Sequence, residues 1–307
     1  MSPTLMGGTA LLGRSASGFK NATARRCYFA AYEELLAWSP PAADVHDVPT
    51  KFGVVRVYRH GPINGVPVVL IHGFFLTSAM WANQVAGLTS DFTIYLVDMP
   101  GQPGASVQAR AMFTPADCAQ CIDDVLARLG LEDVHLVGHS YGGWVATHTA
   151  ARFPHRLATL TLVDPASTLA WPSARFWAAF TIANAHPRSA TAQRTAAWMT
   201  GSPEPGSYVD KLARLFLAGF AAFAPPIRTP APLIVSRRVL RAIHVPVQVL
   251  LAGNTVHDPT KALQRILAVV PGWQHQLWPC ASHALPAEVA DEVNASIRKF
   301  VNDHRAV

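Results

Sequence analysis

An α/β architecture with a mostly parallel central sheet, helices on both faces and an inserted helical segment is predicted by three features of the chain. Strand-like and helix-like segments alternate over residues 51–165. The alternation stops over residues 166–245. It resumes over residues 246–307. Alternation of this kind buries a parallel sheet between two helical layers, and the interruption reads as an insertion at one end of that sheet.

The elements follow in order. Residues 1–50 form an N-terminal extension. Its first stretch, to about residue 22, is small and polar and is expected to be poorly ordered. "ARRCYFAAYEELLAW" then carries Tyr28, Tyr32, Leu35 and Leu36 at helical spacing, and "SPPAADVHDVPT" reads as a proline-rich connector. "GVVRVYR" and "VPVVLI" read as strands, "SAMWANQVAGL" as a helix and "FTIYLVD" as a strand. "TPADCAQCIDDVLARLG" opens on Thr114 as N-cap with Pro115 at the first helical position, and closes on Gly130. "DVHLVG" is a strand, "YGGWVATHTAARF" a helix stopped by Pro154, and "LATLTLVD" a strand. The insertion holds helical patches rich in aromatics (Phe176, Trp177 and Phe180, then Tyr208, Leu212, Phe216 and Phe220) divided by prolines. The remainder reads as strand "VPVQVLLAG", helix "PTKALQRILAVV", strand "WQHQLWP" and a last helix from Glu288.

Composition removes several function classes. The chain has 307 residues, half of them apolar and only 14% charged, which gives a large core and argues against disorder. Its net charge of +6 raises nucleic acid as a partner, but the basic residues are scattered. The densest groups are Arg25-Arg26 and Arg237-Arg238 with Arg241, and no basic run is interleaved with aromatics, so nucleic acid is not expected. Of the four cysteines, Cys118 and Cys121 form a C-x-x-C inside a predicted helix, with no second pair to complete a zinc site. They read as core-facing thiols, and no metal is expected. The N-terminus lacks a secretory apolar region. The longest apolar stretch, residues 215–224, is far short of a membrane span and is apolar all round, which fits burial. A soluble, cytoplasmic protein without stable membrane association is expected.

"LVGHSYGGW", residues 136–144, carries the chemistry. Gly138-His139-Ser140-Tyr141-Gly142 fits G-x-S-x-G where a predicted strand ends and a predicted helix begins. That strand–turn–helix is a nucleophile elbow: the serine takes a strained backbone conformation, so the residues two away, Gly138 and Gly142, must be small. A serine hydroxyl needs a base. His283, in "ASHALP" just past the last strand, is one of thirteen histidines and the one positioned to reach Ser140 across the strand ends. An acid must orient it. Asp258, in the turn "NTVHDP", is favoured, and Asp164, in "LVDPAS", is the rival. The oxyanion is expected to meet the N–H of Tyr141 and that of Phe74 in the loop after "VPVVLI". His72 is expected to hold that loop, and His139 to be packed.

With these motifs in order ("LIHGFF", "LVDMPGQPGAS", "LVGHSYGGW", "LTLVDPA", "LLAGNTVHDP" and "ASHALPAEVADEV"), the chain resembles the α/β-hydrolase fold over residues 51–165 and 246–303. It is similar to bacterial carboxylesterase-like members. The resemblance implies Ser140 as nucleophile, His283 as base, a carboxylate near Asp258, no cofactor, and a helical cap over residues 166–245. The chain departs from the family pattern at Val256, where an acid is common, and in the proline-containing turn "DMPGQPGAS". A serine nucleophile disfavours the dehalogenases and epoxide hydrolases of this fold, which use aspartate. The expected activity is cleavage of a carboxylic ester, or related acyl bond, of a small apolar or aromatic substrate through an acyl-enzyme. Carbon–carbon bond hydrolysis, a lyase or cyclase reaction and ligand binding in a biosynthetic pathway are the alternatives on the same fold.

Overall fold

The computed structural model describes residues 18–223 and 229–305. The expectation for the opening residues therefore falls, as far as Ser17, outside the described residues, as does Ala224 at the end of the apolar stretch. Helix α1 (Ala22–Leu36) is capped by the Asn21 side chain and buries Tyr28, Tyr32 and Leu35. Strands β1 (Asp44–Thr50) and β2 (Gly53–His60) pair antiparallel, with Val48 opposite Val55. The reading of this region as a connector is thus corrected: it covers only the residues before Asp44. β1 buries Val48 alone and contains Pro49, so it shows neither alternation nor freedom from proline; both are tolerable at a sheet edge.

β3 (Val66–Ile71) leads to a 3-10 turn over Ser78–Trp81 and then α2 (Ala82–Leu88). β4 (Phe92–Val97) is buried at every position, and β5 (Val107–Gln108) is a two-residue strand against β2. α3 (Pro115–Arg128) starts with the capping box its sequence predicts: Asp117 N–H donates to the Thr114 hydroxyl, and the Asp117 carboxylate accepts from the Thr114 N–H. β6 (Val134–His139) is fully buried, and α4 (Tyr141–Arg152) follows after a single residue, Ser140. β7 (Leu157–Val163) precedes the interruption.

Among the described residues four helices lie between β7 and the next strand: α5 (Ala174–Ala185), α6 (Ala190–Met199), α7 (Tyr208–Ala222) and α8 (Arg237–Arg241). Each opens on a serine (173, 189, 207 or 236) whose hydroxyl accepts from the N–H three residues on. The chain then forms β8 (Val247–Asn254), α9 (Pro259–Val269), β9 (Gln274–Ser282), α10 (Leu285–Glu288) and α11 (Ala290–Asp303). The last helix expected from Glu288 is α11, starting two residues later, and a separate short helix, α10, ends at Glu288. The Glu288 carboxylate turns back to accept from the Ser282 N–H at 2.7 Å and the Ser282 hydroxyl at 2.5 Å.

The sheet order is β1-β2-β4-β3-β6-β7-β8-β9, parallel from β4 to β9. One face is packed by α3, α4, α8 and α9, with Cys118 and Cys121 buried beside Ile122, Val125 and Trp144. The other is packed by α1, α2, α7 and α11. Parallel strands covered on both faces read as continuous apolar runs, as "FTIYLV" and "VHLVGH" do. Among the described residues no helix is long and apolar enough to cross a membrane.

Candidate active site

Ser140 is the one-residue turn between β6 and α4. Its backbone is in the left-handed region at φ 52° and ψ −116°. That turn folds the chain so tightly that a Cβ on Gly138 would lie 2.3 Å from the Gly142 carbonyl oxygen, and one on Gly142 would lie 2.2 Å from that of Ile71. No larger residue fits at either place. Tyr141 opens α4, so its N–H belongs to the first-turn donors that have no carbonyl four residues back within the helix.

The loop after β3 approaches from the side. His72 fixes it: the buried ring has Nδ1 2.8 Å from the Gly73 carbonyl and accepts the Met99 N–H at Nε2, 2.9 Å away. The N–H groups flanking Phe74 are engaged, that of Gly73 with Met80 Sδ and that of Phe75 with Gln102 Oε1. Phe74 itself lines the cavity alongside Ser140 and Tyr141.

His283 follows β9 directly. Its Nε2 is 2.9 Å from Ser140 Oγ, and its Nδ1 is 2.5 Å from Asp164 Oδ2. Sequence order and strand-end position thus bring the expected serine and histidine within hydrogen-bond reach. His139 packs against the same loop, with its Nε2–H donating to the His283 carbonyl at 2.8 Å. Burial, with His283 nearby, pulls the His139 imidazole down to about 3, so it stays neutral.

The acid at the histidine is not Asp258. Asp258 caps α9, accepting from the N–H groups of Thr260 at 2.9 Å and Lys261 at 3.2 Å, with the Lys261 ammonium 3.8 Å away. Pro259 at the first helical position commits it to that cap. The facing carboxylate is Asp164, the residue after β7, fully buried and held at φ 43°. Its Oδ1 accepts the Ala252 N–H at 3.2 Å, and its Oδ2 takes the Thr255 hydroxyl together with His283. Burial pushes this carboxyl up. The imidazoles of His257 and His283 and the bonds from His283 and Thr255 outweigh it and hold the group at about 2.

Two further side chains were not expected here. Thr255 Oγ1 also lies 3.1 Å from His283 Nδ1. The buried His257 ring places Nε2 3.7 Å from Asp164 Oδ1, and burial lowers its pKa. Both stand in the turn after β8, where the family's acid is common, so their proximity is a consequence of β7 and β8 being neighbours. No residue-type pattern marks them in the sequence.

Ser140 and His283 open into a cavity of about 290 Å³. Its walls include Phe176, Trp177 and Phe180 of α5, Ala196 and Met199 of α6, and Leu212 and Phe216 of α7; no Asp, Glu, Lys or Arg is among the described lining residues. Other aromatics of the insertion serve packing: Phe220 stacks on Phe75 at 4.3 Å, and Phe223 meets Phe19 edge-on at 5.5 Å. Among the described residues no group of three or more His, Cys, Asp or Glu side chains is arranged to hold a metal ion. The arrangement suits abstraction of the serine proton by an oriented imidazole next to an apolar pocket.

Residues 68–296 match the model of the alpha/beta hydrolase family. The carboxylesterase YbfK of Bacillus subtilis is 28% identical over 291 residues, covering 89% of this chain and 93% of that protein. The crystal structure of carboxylesterase CesB (YbfK) from that organism is similar at a TM-score of 0.82 and 26% identity, over 91% of this chain and 98% of that one. The naproxen esterase (carboxylesterase NP) structure from Bacillus subtilis is similar at 0.81 and 27% identity, over 90% of this chain and 97% of that one.

Proposed function

This chain belongs to the alpha/beta hydrolase family, and we propose that it hydrolyses carboxylic esters of small, largely apolar substrates through an acyl-enzyme on Ser140. The observation that carries the reading is the unbroken line of contacts from Ser140 Oγ through the His283 ring to Asp164 Oδ2, set at the wall of an apolar cavity. The likeness to proteins named carboxylesterases supports it.

In this mechanism His283 Nε2 takes the hydroxyl proton as Ser140 Oγ attacks the ester carbonyl. Asp164, ionised because its carboxyl is held at about 2, accepts the Nδ1–H and stabilises the imidazolium. The N–H groups of Tyr141 and Phe74 receive the oxyanion. The leaving alkoxide takes the proton from Nε2, and water then attacks the acyl-enzyme by the same route. The absence of charge in the described lining favours uncharged acyl and alcohol groups. Helices α5, α6 and α7, which supply much of that lining, act as a cap in this reading, and residues 166–245 form the cap region. A cytoplasmic setting fits four free cysteines.

Hydrolysis of p-nitrophenyl esters from acetate to decanoate is the test. Ser140→Ala is expected to abolish turnover and labelling by a phosphonate probe. Full activity in Ser140→Ala would remove the mechanism; labelling of Ser140 without turnover of any ester would keep the nucleophile and reject the substrate class.

A further inference from the structure

Helix α5 is rich in apolar residues yet barely covered, with Ala183 its one buried residue. Trp177 and Ile182 are 38% and 37% exposed, Trp171 just before the helix is 52% exposed, and Leu233 is 65% exposed. One of these side chains, and the chain neighbours of two others, border the cavity. Trp177 lines it, as do Pro172 next to Trp171 and Pro232 next to Leu233. Exposed apolar groups around a concave opening mark a contact surface.

The same segment carries the chain's charge. Residues 166–245 contain nine Lys and Arg against two Asp and Glu, a surplus of seven, whereas the whole chain has a surplus of six. The remainder of the molecule is therefore close to neutral. Lys211 and Arg214 are paired with Glu34 and Asp210. Arg175, Arg188, Arg194, Arg237, Arg238 and Arg241 are exposed. None of these six forms a salt bridge among the described residues, and Arg175 lies over the Trp198 ring at 4.3 Å.

We propose that this rim docks reversibly on an anionic phospholipid surface. The exposed tryptophans, Ile182 and Leu233 enter the interfacial layer, the arginines meet the headgroups, and the cavity takes lipophilic esters from the layer it faces. A second copy of the chain is a poorer occupant, because a two-fold contact would press two surpluses of positive charge together. A nucleic acid would engage the arginines but gives Ile182 and Leu233 no apolar phase.

Sedimentation of the full chain with vesicles tests this, using phosphatidylcholine alone or mixed with phosphatidylglycerol. Binding is expected to the anionic vesicles only, with a blue shift of tryptophan emission, and is expected to fall at high salt. Arg188→Glu with Arg194→Glu, and separately Trp171→Ser with Leu233→Ser, are each expected to weaken it by at least about tenfold. Arg128→Glu, at the end of α3 and outside the segment, is expected to leave it unchanged. Circular dichroism confirms that the variants fold, and the salt dependence and emission shift of the unaltered chain keep the proposal testable if they do not. No binding, an equal loss with Arg128→Glu, equal competition by a single-stranded oligonucleotide, or a dimer that Trp171→Ser dissolves would overturn it. Vesicle binding is read without turnover, so its failure leaves ester cleavage standing.

Discussion

Asp164 and Asp258 end the turns of two neighbouring strands, and their surroundings are opposite. Asp164 is fully buried, sits in a left-handed backbone conformation and has its oxygens engaged by Ala252, Thr255 and His283. Asp258 has a side chain 47% exposed, caps a helix through two N–H groups and faces a surface lysine. Both could be drawn as the partner of the histidine that follows β9. What separates them is the work already assigned to each: a carboxylate committed to a helix cap cannot also turn inward, whereas one at the sheet's buried end is aimed by its neighbours Ala252 and Thr255 at the histidine.

The contrast is open to attack at several strengths. Asp164→Asn is expected to lower kcat on the order of 10⁴-fold, because the amide cannot accept the Nδ1–H while stabilising an imidazolium. Ester turnover measures it, and retention of most activity would dissolve the contrast. Thr255→Val removes a hydroxyl bonded to Asp164 while preserving shape. A loss of roughly ten- to a hundredfold in kcat is expected from one bond to a charged group, with KM little altered.

Asp164 also carries a response to acid. The Asp164 carboxyl falls from 3.8 to about 2 on folding. Because the folded value is the lower one, its contribution of about 2 kcal/mol is complete above about pH 4 and is lost as pH falls through about 2. Thermal unfolding of the unaltered chain and of Asp164→Asn from pH 5 to pH 2 is expected to show the gap between them narrowing towards the acid end. The smallest effect belongs to the other carboxylate. Asp258→Ala is expected to cost about 1 kcal/mol of stability by uncapping α9 and to leave kcat within about twofold. Denaturant titration beside turnover reads both; a large fall in kcat would mean that the cap positions the turn holding Thr255.

What could be read in the chain follows from how local each signal is. Ser140 with Gly138 and Gly142 announces itself because the elbow's constraint spans five residues. His283 is placed by the last strand. The acid is not local: β7 and β8 pair in register, Val163 opposite Leu250, so turns far apart in sequence end beside one another and either can present a carboxylate. The deciding cue was present in "DPT", where an aspartate before proline is a helix cap. β1 escaped for the reverse reason, since an edge strand with one buried residue carries little pattern. Two of the insertion's helices, α5 and α7, were visible as aromatic patches; α6 and α8 carry no such patch, and the serines that start all four mark their boundaries better.

Helix α1 lays Tyr28, Tyr32 and Leu35 in the same apolar cluster as α7, and the Lys20 ammonium reaches the Ala221 carbonyl 201 residues on. During synthesis this helix leaves the ribosome with its apolar stripe bare. Part of its cover, Tyr58 and Asp98 bonded to Tyr32, follows soon after, but α7 arrives only when two-thirds of the chain has been made. Closing a loop of that length is slow, so the first helix among the described residues completes its packing late, and a chaperone meeting the nascent chain would find apolar surface there.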